Sequence, residues 1–271
     1  MFLSRFLPAP LRERLRDRYT QAQYEAGVRR GADPLMPPAR LHSVGDTDFR
    51  RTGDEFLQHF LEMTGLRPDE RVLDVGCGTG RMARPLAGYL TSGSYDGIDI
   101  VKPSIDWCRR AYRRFLHFRF HHSDIYNKAY NPGGVAAANA YRFPFDDGAF
   151  DFIFLTSVFT HMLARDTRHY LDEIARVLAP GGRVLITAFL LDAESRAGIA
   201  AARTRFTFSH PLDGCFVETP DIPENAVAYE DGAFRAMAED AGLAVADVHH
   251  GAWRGTEARN FQDILIARLR G

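Results

Sequence analysis

The sequence predicts an α/β protein: a doubly wound, mostly parallel sheet covered by helices on both faces. Three observations carry that prediction. From about residue 66 onward, short apolar runs alternate with stretches of helical period, the pattern of strands joined by crossover helices. The first apolar run passes straight into a turn with glycine at alternate positions, Gly76, Gly78 and Gly80. The composition, 45% hydrophobic and 25% charged over 271 residues, is that of a globular chain able to bury a sizeable core.

Residues 1–30 read as helical, with Leu11, Leu15, Tyr19 and Ala22 at helical spacing. Gly31–Gly45 holds Pro34, Pro37 and Pro38, cannot continue a helix, and reads as a linker or latch. A second helix is expected over Thr52–Thr64, ended by Gly65. These pieces form a helical N-terminal extension over 1–65, ahead of the main domain over 66–271. In that domain Arg71–Val75 is the first strand, followed by the glycine turn and a helix over Arg81–Leu90. Tyr95–Ile100 is the second strand with its helix over Ser104–Phe115, and Phe118–His121 the third. Phe150–Thr156 is the fourth and leads into a helix over Arg165–Leu178, with Ala179 to Gly182 as the stop. Arg183–Phe189 is the fifth strand. Gly232–Ala241 reads as helical, and Leu243–Val248 and Phe261–Leu269 as extended. Residues 122–149 and 190–229 exceed what a minimal connection needs. Both leave the carboxyl edge of the sheet, where open α/β sheets bind ligands, so they read as lid or substrate-specific insertions.

Charge narrows the function. A net charge of -1 argues against a nucleic-acid binder, which needs a basic excess. The distribution is uneven: residues 1–51 hold ten arginines and six acids, a surplus of +4 that leaves -5 for the rest. Only Lys102 and Lys128 are lysines. A basic arm suits an anionic or lipid-linked acceptor or peripheral contact with a membrane surface; the plainer reading is a solvated face. Three cysteines, Cys77, Cys108 and Cys215, are too few and too scattered for a disulfide framework or a zinc site. No apolar run approaches the ~20 residues that cross a bilayer, and the start is a poor secretion signal, so a cytoplasmic location is expected.

The chemistry sits in Val72-Leu-Asp-Val-Gly-Cys-Gly-Thr-Gly80. Glycine is needed where the backbone turns with positive φ and where a ligand lies against the main chain. The helix that follows offers free N–H groups to an anionic ligand group. Nineteen residues past Gly80 stands Asp99, an acid at a strand end suited to ribose hydroxyls. A dinucleotide fingerprint has its third glycine three residues after the second; here that place is Arg81, which disfavours NAD.

The string instead resembles motif I of the class I S-adenosylmethionine-dependent methyltransferases, with Asp74 as its acid. Gly97-Ile-Asp99-Ile, the run from Phe143 to Phe154 and the run from Ile174 to Ile186 resemble three further family segments in the same order. The likeness covers roughly Asp69 to Phe189. It implies a seven-stranded sheet with an antiparallel last strand, supplied by Phe261–Leu269. It also implies S-adenosylmethionine as cofactor, its methionine part held by Asp74 and the turn of Gly76, Cys77, Gly78 and Gly80, and its ribose by Asp99 beside Ile100. The adenine acid is Asp124, beside Ile125, or Asn139 in Ala138-Asn-Ala-Tyr-Arg-Phe-Pro-Phe145; Asp124 is preferred because it stands at a strand end. Thr156, ending the fourth strand, completes the set.

Methyl transfer from a sulfonium chiefly needs alignment and exclusion of water. An alcohol acceptor also needs a base. His161, in Thr156-Ser-Val-Phe-Thr-His-Met162, is the first candidate, set against a purely local packing role. His210 is a weaker candidate for substrate contact, and Tyr19 and Tyr24 are candidates for closing over the site. Cys77 reads as packing, and His249, His250 and Trp253 receive no role. Asp146 and Asp147 read as a solvated turn and no metal is expected. The Asn/Asp-Pro-Pro-Tyr motif of nucleic-acid amino methyltransferases is missing after strand four, which has Leu155-Thr-Ser-Val158. The expected function is therefore methyl transfer to a hydroxyl of a small molecule such as a sugar, lipid or secondary metabolite. Transfer to a small amine, or a non-catalytic S-adenosylmethionine-binding module, is the alternative.

Overall fold

The central strands are buried almost throughout, and their successive side chains point to opposite faces, which builds the two sides of the protein. The computed structural model describes residues 31–41 and 48–270; the helix expected over 1–30, with Tyr19 and Tyr24, and part of the proline-rich linker lie outside the described residues. The first described α-helix, α1 (Phe49–Thr64), begins three residues before its expected start, because the Asp48 carboxylate accepts from the Arg51 N–H. Gly65, at φ +63°, ends it as expected.

The main domain then runs β1 (Arg71–Val75), α2 (Ala83–Tyr89), β2 (Ser94–Asp99), α3 (Lys102–Ala111), β3 (Phe118–His122), β4 (Phe150–Leu155), α4 (Ala164–Val177) and β5 (Leu178–Ala188). β6 (Leu190–Leu191), α5 (Ala193–Ala200), β7 (His210–Leu212), β8 (Cys215–Val217) and β9 (Val227–Glu230) follow. The chain closes with α6 (Asp231–Asp240), β10 (Leu243–His249) and β11 (Asp263–Leu269). The seven-stranded sheet has the order β10-β11-β5-β4-β1-β2-β3. β11 is antiparallel to both neighbours and the pairings among β1 to β5 are parallel, as the resemblance implied. The strand order reverses at β1, which opens a crevice at its carboxyl end.

One face of the sheet presents Leu73, Val75, Ile153, Leu155 and Val184 to Leu171 and Ile174 of α4 and Phe234 of α6. The other presents Val72, Phe152, Phe154 and Leu185 to Phe56 and Phe60 of α1, Leu86 of α2 and Trp107 of α3. The Phe60 ring lies 4.5 Å from Phe154 and 5.2 Å from Phe152. Asp74 takes its place on this second face, among mostly apolar neighbours, which sets up its chemistry. α1 is also fixed from below: Arg183 donates to both oxygens of buried Glu70 (2.9 and 2.6 Å) and to the Thr64 carbonyl at 2.7 Å.

Two boundaries depart most from those expected. The run Ala179 to Gly182 is not a separate stop; it opens β5, where Leu178 already pairs with Phe150 and the next partner of β4 is Arg183. Gly181 at φ +78° absorbs the extra residues as a bulge. α3 ends at Ala111 rather than Phe115, with the chain turning under Tyr112. The 190–229 insertion forms a second, four-stranded sheet, β6-β9-β8-β7, backed by Phe189, Phe208 and Trp253. Among the described residues no helix is long and apolar enough to cross a membrane.

Candidate active site

The glycine turn has three positive-φ residues, Gly76 (+82°), Gly78 (+52°) and Gly80 (+80°), and each is constrained differently. A Cβ on Gly76 would stand 2.5 Å from Val158 Cγ2, and one on Gly80 would meet the Tyr112 ring at 3.0 Å, so both are glycine for packing as well as φ. A Cβ on Gly78 would meet nothing within 4 Å; the space beside it is open. α3 and the residue that follows it secure the turn from beneath, with Tyr112 Oη donating to the Gly80 carbonyl at 2.9 Å and Cys108 Sγ 3.5 Å from the Gly78 carbonyl. Cys77 is buried under the turn, and burial pushes its thiol far up, which suits packing and not nucleophilic chemistry.

Two carboxylates face this turn in different states. Asp99 Oδ2 accepts from the Gly78 N–H and Oδ1 from the Val101 N–H, both at 2.7 Å. Its pKa is raised by burial, and these two bonds oppose the rise. Two bonds leave about half of a carboxylate's lone-pair sites available to hydroxyl donors. Asp74 is 2% exposed. Its Oδ2 accepts from Tyr95 Oη at 2.6 Å, while Oδ1 is buried with no hydrogen-bond partner. Burial, with nearby Asp99 adding to it, pushes the Asp74 carboxyl up to about 8. An orphaned buried carboxyl oxygen is costly unless protonated or met by a donor. Tyr95 was not singled out in the sequence, although a buried tyrosine on the strand beside the acid must find a polar partner.

The segment after β4 packs on the turn through Val158 and then makes a short helical turn, Phe159–His161. Ser157 adopts φ +59°, a costly conformation for a non-glycine residue. It is held there by Thr187 and Gln262: the Ser157 N–H donates to Thr187 Oγ1 at 2.7 Å, and Gln262 Nε2 donates to Ser157 Oγ at 2.8 Å. His161 Nδ1 lies 2.8 Å from the Glu224 carbonyl oxygen and Nε2 lies 3.3 Å from Tyr130 Oη. Both long insertions therefore converge on His161: Tyr130 belongs to 122–149 and Glu224 to 190–229. Burial lowers the His161 pKa, against the raising effect of its bond to Glu224, so the ring is neutral at neutral pH. Thr156 and Ile100 sit half-buried at the ends of β4 and β2.

The adenine candidates are separated by the fold. Asp124 is exposed just past β3, with Asn131 Nδ2 donating to its Oδ1 at 3.2 Å, and Ile125 next to it is buried in the core. The Asn139 amide instead faces the Arg165 guanidinium at the start of α4, its oxygen accepting from Nη2 at 3.0 Å. Asp147 pairs with Arg176 at 2.8 Å. His210 is exposed on β7, at the far strand of the small sheet. Trp253, given no role from sequence, is buried with Nε1 donating to Asp263 at 2.8 Å; His249 pairs with Asp247 at 3.0 Å and His250 lies 3.6 Å from Asp263. Asn127, Tyr130, Thr187 and Gln262 were missed: Asn127, Tyr130 and Gln262 lie in loops, which carry no periodic signal, Thr187 reads as one more residue of β5, and the partners of Tyr130, Thr187 and Gln262 are remote in sequence.

A family profile described as "Methyltransferase domain" matches residues 73–186. A demethylmenaquinone methyltransferase of Thermus thermophilus is 30% identical over 183 residues, which are 65% of this chain and 75% of that protein. The chain belongs to the S-adenosylmethionine-dependent methyltransferase family. The O-methyltransferase cnsE of Penicillium expansum is 33% identical over 148 residues, 53% of this chain; the chain spans about half of that relative's length, 46%. At the level of fold alone, the methyltransferase resembles 1,6-didemethyltoxoflavin-N1-methyltransferase of Burkholderia thailandensis, solved with 1,6-didemethyltoxoflavin and S-adenosylhomocysteine. There the TM-score is 0.54 and identity 16%, over 98% of this chain and 92% of that one. The residues of this methyltransferase fit the family's cofactor at three points: the orphaned Asp74 oxygen, the open space over Gly78, and the spare acceptor capacity of Asp99.

Proposed function

We propose that this methyltransferase acts on a hydroxyl of a small-molecule acceptor held beneath its two insertions, with His161 taking the acceptor's proton. The observation that carries this reading is the state of His161. The Glu224 carbonyl can only accept, so Nδ1 holds the proton and Nε2 is left with the lone pair. That is a neutral base fixed in one tautomer, three residues past the valine that packs on the first glycine. The resemblance to an O-methyltransferase, cnsE, supports the same class of acceptor.

S-adenosylmethionine, when bound, supplies an electrophilic methyl carbon with a neutral leaving group. Everything else falls to the chain. Asp74 Oδ1 receives the cofactor's ammonium group, and the open face of the turn at Gly76, Cys77, Gly78 and Gly80 lies against its amino-acid end. Asp99 accepts from the ribose hydroxyls while still holding Gly78, and Asp124 meets the adenine amino group. Ile100 and Thr156, both half-buried, line the walls between these polar points, and Ile125 packs in the core behind Asp124. His161 draws the proton from the acceptor oxygen as that oxygen's lone pair is committed to the new bond.

His161→Ala tests the base. Turnover is expected to fall about 100-fold or more, the usual worth of a positioned base, while S-adenosylhomocysteine affinity by calorimetry stays within about twofold. Unchanged turnover would move the acceptor to an amine nitrogen, which needs no base.

A further inference from the structure

We propose that Tyr130 is a second proton-handling residue of this reaction, its hydroxyl standing between the acceptor and His161 and relaying the acceptor's proton to Nε2. The inference rests on the base assignment above and adds a residue to it. With Nδ1 committed to the Glu224 carbonyl at 2.8 Å, Nε2 is the one ring atom that can take a proton. Tyr130 Oη occupies that lone pair at 3.3 Å, and since Nε2 carries no hydrogen, the phenol is the donor. The two rings meet edge to face, 5.1 Å apart at 72°. Tyr130 is 40% exposed, so the side chain that meets the imidazole also reaches the surface. Burial raises its pKa, which keeps the phenol protonated and able to donate.

The approach is built from several directions. Asn127 Oδ1 accepts from the Ala129 and Tyr130 N–H groups at 3.0 and 2.9 Å, fixing the turn that carries Tyr130. The Asn127 Nδ2 donates to the His161 carbonyl at 3.4 Å. Lys128 Nζ donates to the Asp221 carbonyl at 2.6 Å, clasping the same turn to the segment that carries Glu224. One asparagine thus positions both members of the pair.

The proton balance is closed. The acceptor hydroxyl passes its proton to Tyr130 Oη as Tyr130 passes its own to Nε2. The freed oxygen lone pair forms the bond to the methyl carbon while the carbon–sulfur bond breaks. His161 ends as an imidazolium donating to the Glu224 carbonyl and to Tyr130, and loses its extra proton to water after product leaves.

The test uses the full chain with Tyr130→Phe, His161→Ala and the double variant. The first readout is NMR of histidine-labelled protein without ligands. His161 should show the Nδ1-protonated tautomer with Nε2 shifted as a hydrogen-bond acceptor, and Tyr130→Phe should abolish that Nε2 shift. A free Nε2 in the wild type overturns the relay. The second is transfer of labelled methyl from S-adenosylmethionine to simple phenols and naphthols. Tyr130→Phe should lower kcat about 100-fold, and the double variant should be no slower than His161→Ala alone, as expected of one chain of proton transfer. Wild-type turnover with Tyr130→Phe unaffected, or losses that simply multiply, overturns the relay and leaves His161 as the base. No transfer by the wild type to any phenol or naphthol overturns the base assignment and the relay together.

Discussion

Asp74→Asn is expected to make the ligand-free protein more stable while weakening its affinity for S-adenosylhomocysteine. The carboxyl is 2% exposed among apolar groups, its Oδ1 has no partner, and its pKa stands near 8. The sign follows from the proton each state binds. The folded pKa lies above the unfolded value, so the folded chain holds a proton that the unfolded chain has released. Wild-type stability is therefore lost as pH rises from about 4 towards about 8. An amide does not titrate and still accepts from Tyr95. The variant should gain about 2–4 kcal/mol at pH 8 and nothing at pH 4, read as a rise in Tm that shrinks with acidity. The same change removes the charge offered to the ammonium group, and affinity should fall about 10–100-fold, the worth of a hydrogen bond to a charged partner. Equal stability of the two proteins across that pH range would show that burial of Asp74 carries no cost.

Asp263→Ala is expected to be the most damaging single substitution away from the glycine turn. This carboxylate, fully buried at the start of β11, accepts from the Leu190 and Gly251 N–H groups, from Trp253 Nε1 and from Arg254 Nε, at 2.8 to 3.1 Å. Arg254 is equally buried and reaches on to Asp192, which caps α5, at 2.7 Å. Removing Asp263 leaves a buried guanidinium under-compensated and three further donors orphaned, a loss of about 3–5 kcal/mol. Against a total of about 5–15 kcal/mol, this is a large fraction. The urea midpoint should fall steeply, and Asp263→Asn should recover part of the loss by keeping an acceptor oxygen. A midpoint unchanged by Asp263→Ala would mean that the insertion is anchored by its apolar contacts alone.

The sequence was most legible where the chemistry is local. β1, the glycine turn and Asp99 lie within thirty residues, and each is tied to backbone geometry that few residue types satisfy, so strand, turn and acid could be read together. The same holds for α4, whose apolar face repeats cleanly. Less legible were contacts made across long separations: Asp263 with Leu190, 73 residues away, and Tyr130 with His161, 31 away. Nothing in a loop's composition says which remote backbone it will meet. The start of β5 was misplaced because Ala-Pro-Gly-Gly favours a turn locally, whereas pairing with Phe150 draws it into the sheet as a bulge. Asn139 matched a family pattern by its neighbours Phe143 to Phe145, yet the fold spends its amide on Arg165.

The seat for the charged nucleoside is tested most directly by titrating the wild-type chain with S-adenosylhomocysteine calorimetrically at pH 7, in two buffers of different ionisation heat. If the proposed seat is right, Asp74, raised to about 8 by burial, gives up its proton on meeting the ammonium group, and the two heats should differ by the release of about one proton per ligand. Asp74→Asn should release none, with its residual binding far weaker. Binding with no proton release and equal affinity in Asp74→Asn, or no binding at all by the wild type, would contradict this placement.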